Sequence, residues 1–371
     1  MQVGSVKEIK KHEYRVGLTP SCVKAYVAAR HTVRVQRDCG LGAGYENEEY
    51  RAVGATVCDT AGEVFEASDM IVKVKEPQKA EYELMREGQI IYTYLHLAAD
   101  EALTREMVKR RVTGVAYETV EPDNHTLPLL RPMSEIAGRL SIQEGARFLE
   151  RPQGGRGVLL GGVPSVEKGR VAILGGGVVG TNAAKMAVGL GAQVSVLDVN
   201  IDRLGYLDDI FSGRINTLYS NRANIERALE ESDLIVGAVL IHGAKAPRLI
   251  TKEDLKMMKK GSVIVDVAVD QGGCIETTRA TTHDDPVFVI NDVVHYCVAN
   301  MPGAVSRTST QALTTVTLPY GLKLANLGFE EAVRANSALA RGVNTYSGKL
   351  TYQAVAEAFG LEYAELSALL G

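Results

Sequence analysis

The stretch Val171-Ala-Ile-Leu-Gly-Gly-Gly-Val-Val-Gly180, followed by Val194-Ser-Val-Leu-Asp198, constrains this chain more than any other feature. A short apolar strand runs into Gly175, Gly177 and Gly180, the glycines open a helix, and the next apolar strand ends in a carboxylate about 20 residues on. Gly175 permits the tight turn, Gly177 lets the backbone approach a pyrophosphate, and Gly180 lets helix and strand pack closely. The unpaired amides at the helix start, with their partial positive charge, suit phosphates. Strand, turn, helix, strand and acid together read as a dinucleotide-binding unit. Asp198 can accept hydrogen bonds from both ribose hydroxyls and repels a 2′-phosphate, which favours NAD over NADP.

The unit begins at residue 171 of 371, so the long segment before it must fold as something else. An apolar fraction of 46% with 23% charged residues is ample for a globular core. The net charge of −4 gives no reason to expect nucleic acid or an anionic membrane as partner. No apolar run reaches the ~18 residues that span a bilayer, and Met1-Gln-Val-Gly-Ser-Val-Lys has no hydrophobic signal region, so a cytoplasmic protein is expected. Cys22, Cys39, Cys58, Cys274 and Cys297 are odd in number and lack CxxC spacing, which points to buried, reduced thiols rather than disulfides or a zinc site.

Before residue 130, candidate strands (2–6, 32–36, 70–74, 89–94, 113–117) alternate with helical patterns (21–29, 79–86, 100–110). After Asp198 the rhythm returns, with strands at 233–240, 262–267 and 287–290. Such alternation argues for parallel sheets covered by helices. The reading is α/β: two Rossmann-like, doubly wound parallel-sheet domains joined by long helices, with the active-site cleft between them. One long helix follows Pro132-Met-Ser134, with Ser134 as its N-cap and Leu149 near its end. A second covers 308–326, and helical patterns at 329–339, 351–359 and 363–370 complete the first domain. Residues 1–133 and 307–371 then form a substrate domain, with a nucleotide domain, 134–306, inserted within it. Gly40-Leu-Gly-Ala-Gly44 also follows a strand but lacks the third glycine and the later acid, and reads as a loop.

In open α/β sheets, ligands bind beyond the carboxyl ends of strands. Arg15, Lys75, His96 and Asp270 all stand just past predicted strands. A guanidinium can hold a carboxylate in a fork. An ammonium can polarise a carbonyl or neutralise an oxyanion. An imidazole can shuttle a proton near neutrality, and Asp270 can accept a hydrogen bond from an amine or water. The set suits amino-acid or keto-acid redox chemistry. Plainer roles also fit the residues: Arg15 in a surface ion pair with Glu13, Lys75 solvated at a strand end beside Lys73, His96 buried between Leu95 and Leu97, and Asp270 as a turn former before glycines. His12, His31 and His283 lack a metal-ligand partner at helical spacing, so no metal is expected.

Several ordered blocks resemble the alanine dehydrogenase/transhydrogenase group over the whole chain: Lys7 to Lys10, Arg15 to Pro20, Val72 to Pro77, Thr93 to Ala98, Ala116 to Thr119, Met133 to Leu140, Leu174 to Gly180, Val265 to Gly273 and Asn300 to Val305. The resemblance implies NAD-dependent interconversion of L-alanine with pyruvate and ammonium in a homohexamer. It implies that Arg15 and Lys75 bind substrate and that His96 and Asp270 are the catalytic pair. Cofactor contacts fall on Ser134, Val178, Val179, Asp198, Arg203, Ser220, Val239, Leu240, Val267, Ala268, Val269, Asp270, Arg279, Val298, Ala299, Asn300 and Met301, besides Gly175, Gly177 and Gly180. Position 203 is Arg where the group often has Lys, which bears on the exclusion of NADP, and Ser306 replaces a frequent Pro. Some members place a metal near Glu118 with a histidine around position 327; here that position is Leu327, and the metal is not carried over. Two rivals remain open: a soluble hydride-relay component of a transhydrogenase, and an NAD-binding module without catalysis.

Overall fold

The computed structural model describes residues 1–239 and 247–371. The chain divides into two compact units, Met1–Met133 with Gly303–Gly371, and Ser134–Pro302.

The first unit is built on β1 (Gln2–Ser5), β2 (Thr32–Gln36), β3 (Thr56–Cys58), β4 (Met70–Val72), β5 (Ile90–Thr93) and β6 (Thr113–Ala116). The second holds β7 (Arg170–Leu174), β8 (Gln193–Asp198), β9 (Asn216–Tyr219), β10 (Leu234–Gly237), β11 (Val263–Asp266), β12 (Val287–Ile290) and β13 (Val293–Tyr296). After it, β14 (Val343–Tyr346) and β15 (Lys349–Leu350) return to the first sheet.

The sheet orders are β15-β14-β6-β5-β4-β1-β2-β3 and β12-β13-β11-β10-β7-β8-β9. Six neighbouring strands of each follow the doubly wound pattern, and the direction of winding reverses between β1 and β4 and between β7 and β10. These strands pair in parallel; β12 with β13, β14 with β15 and β14 with β6 are antiparallel. The central strands β4, β5, β6, β10 and β11 are buried at every position, as sheets covered on both faces require. In the first unit the core joins Ile71, Ile91 and Leu95 to Val64, Phe65, Leu103 and Met107. In the second, Ala172, Ile235 and Ile264 pack with Ile225, Leu229 and Leu255.

Most predicted elements are present with slightly different ends. The pattern at 79–86 is a 3₁₀ segment, Lys79–Leu84, and 329–339 breaks into Phe329–Arg334 and Ser337–Arg341. The second break falls where Asn336 caps the new helix by accepting from the Leu339 amide. The expected N-cap at Ser134 is corrected: the helix runs Arg131–Phe148, so Ser134 lies inside its first turns. The amides of Leu130 and Arg131 already donate to the Leu127 carbonyl, and Pro132 is tolerated there because an early helical N–H has no partner to lose. Cys22, Cys39, Cys274 and Cys297 are buried, Cys58 is half-buried, and all are free thiols. Among the described residues, no helix is long and apolar enough to cross a membrane.

Candidate functional site

In the first unit, Arg15 follows β1, Lys75 follows β4 and His96 follows β5, three adjacent strands flanking the reversal point. Glu118 follows β6, the next strand along. Parallel register brings these strand ends to the same edge of the sheet.

Arg15 is 2% exposed. Its Nε donates to Glu13 Oε1 at 2.6 Å, and Nη1 lies 3.0 Å from Met133 Sδ. The ion pair foreseen on the surface therefore exists, but both side chains are buried. Burial opposes the guanidinium charge, and the hydrogen bond and charge of Glu13 more than offset it. Gly17 presses this loop against β4, since a Cβ there would meet the Val72 carbonyl oxygen at 2.5 Å.

Lys73 and Lys75 are not a solvated pair. Lys73 is wholly buried, its Nζ 2.8 Å from Glu81 Oε1 and 3.2 Å from Glu8 Oε2. Lys75 is half-buried. Its amide donates to Glu8 Oε1 at 3.3 Å and its carbonyl accepts from Thr93 Oγ1 at 3.0 Å, so backbone contacts on both sides fix its position. Burial, then the neighbouring Arg15, holds its pKa below the ordinary lysine value. A folded ammonium with a lowered pKa costs stability wherever it stays protonated, and the cost disappears once pH passes its unfolded value of about 10.5. Lys75→Met is therefore expected to raise the melting temperature at pH 7 by roughly 2–4 °C. Melts at pH 7 and pH 10.5 test this: the gain should shrink at the higher pH, and a loss at pH 7 contradicts it.

His96 has a left-handed backbone, φ 49°, and an exposed ring, while its neighbours Leu95 and Leu97 are buried. The buried-histidine alternative thus fails. Glu118 makes the turn possible: one oxygen accepts the His96 amide at 2.6 Å, and both oxygens lie 3.2 Å from the Leu95 amide. The imidazole stacks on Tyr94, centroids 5.8 Å apart and planes 6° from parallel, with Nδ1 3.9 Å from Glu118 Oε1. Tyr94 is itself fixed by donating to the Leu129 carbonyl at 2.6 Å.

In the second unit the fingerprint has the expected geometry. Gly175 has φ 103°, and a Cβ on Gly180 would sit 1.8 Å from the Gly175 carbonyl oxygen, so no side chain fits. A Cβ on Gly177 would meet open space, and the helix Val178–Gly189 starts there. Asp198 accepts from the amides of Gly176 (2.6 Å) and Asn200 (2.8 Å), and its own carbonyl accepts the Ser220 amide. Arg203 lies across the glycine turn, with Nε donating to Gly176 O and Nη2 to Thr181 Oγ1, both at 2.6 Å, and its guanidinium stacks on Tyr206. Val178, Val199 and Ile201 expose apolar surface near the turn and Asp198. Open amides, an acid beyond the second strand and apolar walls fit a nicotinamide dinucleotide.

The other expected contacts also follow strand ends. Val239 stands past β10, and Leu240 lies outside the described residues. Val267, Ala268, Val269 and Asp270 form a 3₁₀ segment after β11, with Asp270 exposed at its end. Val298, Ala299, Asn300 and Met301 follow β13, with Val298 and Met301 buried and Asn300 left-handed at φ 61°. Arg279 is exposed in the segment that approaches β13 through the Thr281–Val298 bridge. Ser134 sits one helical turn before Gly138, whose Cβ would meet the Val179 carbonyl oxygen at 2.2 Å.

Sequence reasoning named Glu118 only as a place near which some family members hold a metal, and gave it no role in the site, although the strand-end rule that selects Lys75 and His96 also selects it. Asp266 was missed as well. Wholly buried at the end of β11, it accepts from the amides of Ala268 and Cys274 at 3.0 Å and from Thr278 Oγ1 at 2.5 Å. One carboxylate thus fastens both ends of the loop carrying Asp270. Burial raises its pKa despite these donors. Among the described residues, no group of three His, Cys, Asp or Glu is placed to hold a metal.

Residues 4–137 match the family described as alanine dehydrogenase/PNT, N-terminal domain, and residues 141–353 match its C-terminal domain. The chain is 57% identical over 364 residues to an alanine dehydrogenase of Methanococcus maripaludis, covering 98% of each chain. A solved L-alanine dehydrogenase superimposes with a TM-score of 0.95 at 55% identity, covering 97% of this chain and 99% of that one. A transhydrogenase from Sinorhizobium meliloti is more distant, with a TM-score of 0.81 and 25% identity over 95% of this chain and all of its own.

Proposed function

Because the chain belongs to the alanine dehydrogenase/PNT family, we propose that it interconverts L-alanine with pyruvate and ammonium, using NAD. The observation that carries the reading is end-to-end identity above one half with alanine dehydrogenases, in a chain that sets Arg15, Lys75 and His96 on three adjacent strand ends. The glycine turn, Asp198 and the strand-end contacts of the second unit would hold the cofactor, whose nicotinamide would supply the hydride acceptor in one direction and the hydride donor in the other. The carboxylate of Asp198, already fixed by two amides, meets the ribose hydroxyls and disfavours a 2′-phosphate.

Arg15, locked in place by Glu13, holds the substrate carboxylate. Lys75 donates to the carbonyl oxygen and, after water adds to the imine carbon, to the carbinolamine oxygen. His96 removes the proton from that water and returns it in the opposite direction. Asp270 accepts a hydrogen bond from the amine or the water. The protein acts on small molecules, in the cytoplasm, as a homohexamer.

The test is NADH consumption with pyruvate and ammonium supplied separately and together. Turnover that requires both supports the reading. NADH binding without turnover on this pair points to a relay or a non-catalytic module, and turnover with pyruvate alone points to a hydroxy-acid dehydrogenase.

A further inference from the structure

Arg279 carries a proposed cofactor contact, yet it is exposed and stands in a loop without regular structure. Its guanidinium lies over the ring of Phe288, 4.3 Å from the centroid. Phe288 stacks in turn on His295, centroids 4.9 Å apart and planes 17° from parallel. The two rings are direct cross-strand partners in the antiparallel pair β12–β13, so the sheet itself sets their spacing.

The base of the stack is hydrogen-bonded at both ring nitrogens. His295 is wholly buried, with Nδ1 3.0 Å from the Val293 carbonyl oxygen and Nε2 2.9 Å from Thr277 Oγ1. A carbonyl only accepts, so Nδ1 carries the hydrogen and Nε2 accepts from the threonine hydroxyl. Burial favours this neutral form. Thr277 and Thr278 are thereby tied to His295 and Asp266, two residues before and one before Arg279.

We infer that Phe288 and His295 are positioning residues: their stacked rings hold the Arg279 guanidinium ready for an anionic group of the nicotinamide cofactor. A long side chain on a loop loses much rotamer freedom on binding, and a stack that fixes it beforehand removes part of that loss. The ring face attracts the cation without neutralising it, whereas a carboxylate in its place would compete with the ligand. The inference rests on the proposed role of Arg279 and goes beyond it by assigning what sets that residue's affinity.

The experiment measures NADH dissociation constants by fluorescence on the full chain for Arg279→Ala, Phe288→Leu, Phe288→Tyr and the Arg279→Ala/Phe288→Leu double variant. Phe288 is half-buried on an edge strand, so leucine is accommodated there, and melting curves check the fold. Phe288→Leu is expected to weaken NADH binding by about three- to tenfold. The loss should appear in KM for NADH rather than in kcat, and Phe288→Tyr, which keeps the ring face, should restore affinity. In the Arg279→Ala background the leucine should add nothing, since the group it positions is gone. Unchanged affinity in Phe288→Leu beside a weakened Arg279→Ala overturns the inference and leaves the cofactor reading intact. An undiminished leucine effect without Arg279 also overturns it. An Arg279→Ala variant that binds NADH normally overturns both the inference and the role given to Arg279.

Discussion

His96→Asn is expected to lower kcat for reductive amination by about 10²–10⁴-fold while leaving NADH affinity and the melting temperature essentially unchanged. Asparagine is the informative replacement because residue 96 has φ 49°, a conformation that asparagine tolerates and alanine adopts at a cost. The backbone amide still donates to Glu118, so the turn survives and only the proton carrier is lost. The exposed imidazole contributes little to the core, and the glycine turn proposed to bind the cofactor belongs to another unit. Steady-state kinetics and NADH titration together decide the matter. A loss smaller than about tenfold removes His96 from the proton transfer, and a parallel loss of NADH binding shows that the ring serves the cofactor.

A second large effect is expected at Lys73. Its ammonium is enclosed with Glu8 and Glu81, all nearly inaccessible to water. Burial works against its charge and the two carboxylates more than offset that penalty, so its pKa is raised. Lys73→Met leaves two buried carboxylates without their cation, and breaking such a pair costs about 3–5 kcal/mol. The deficit should depend on pH. Burial already raises the Glu8 pKa above 4.5, and losing Lys73 raises it further. A raised carboxylate pKa means that the folded state holds a proton where the unfolded state has released it, so stability falls as pH climbs through that window. The variant is thus closest to the parent at about pH 5 and furthest from it at about pH 8, which urea melts at the two pH values will show. A deficit below about 1 kcal/mol means that the carboxylates find other partners. Because Glu8 also accepts the amides of Val74 and Lys75, activity should fall with stability.

Legibility followed burial. The apolar runs of β4, β5, β7, β8, β10 and β11 and the glycine turn were readable because strands covered on both faces carry near-continuous apolar sequence. The edge strands β3, three half-exposed or exposed residues, and β15, two residues, are too short to leave such a trace, and β14 sets Asn344 and Thr345 in the middle of its four. Within the candidate site, Lys75 and His96 could be located by counting from strand ends. The contacts that hold them could not: Glu8 and Glu118 accept backbone amides far away in the chain, contacts that depend on chain closure rather than on local pattern. Arg15 shows the same limit, since its neighbour Glu13 is visible in the sequence while the burial of the pair is not.

The return of β14 to the first sheet has a consequence for how the polypeptide is made. On the ribosome, β1 to β6 emerge first, then the whole of Ser134–Pro302, and only afterwards the strand that pairs with β6. Until residues 343–350 arrive, β6, buried at every position in the finished fold, presents an open edge carrying unpaired backbone groups. The nascent protein therefore passes through a stage in which its second unit is complete and its first unit is a sheet awaiting its border, with the turn that bears Glu118 directly beside the gap.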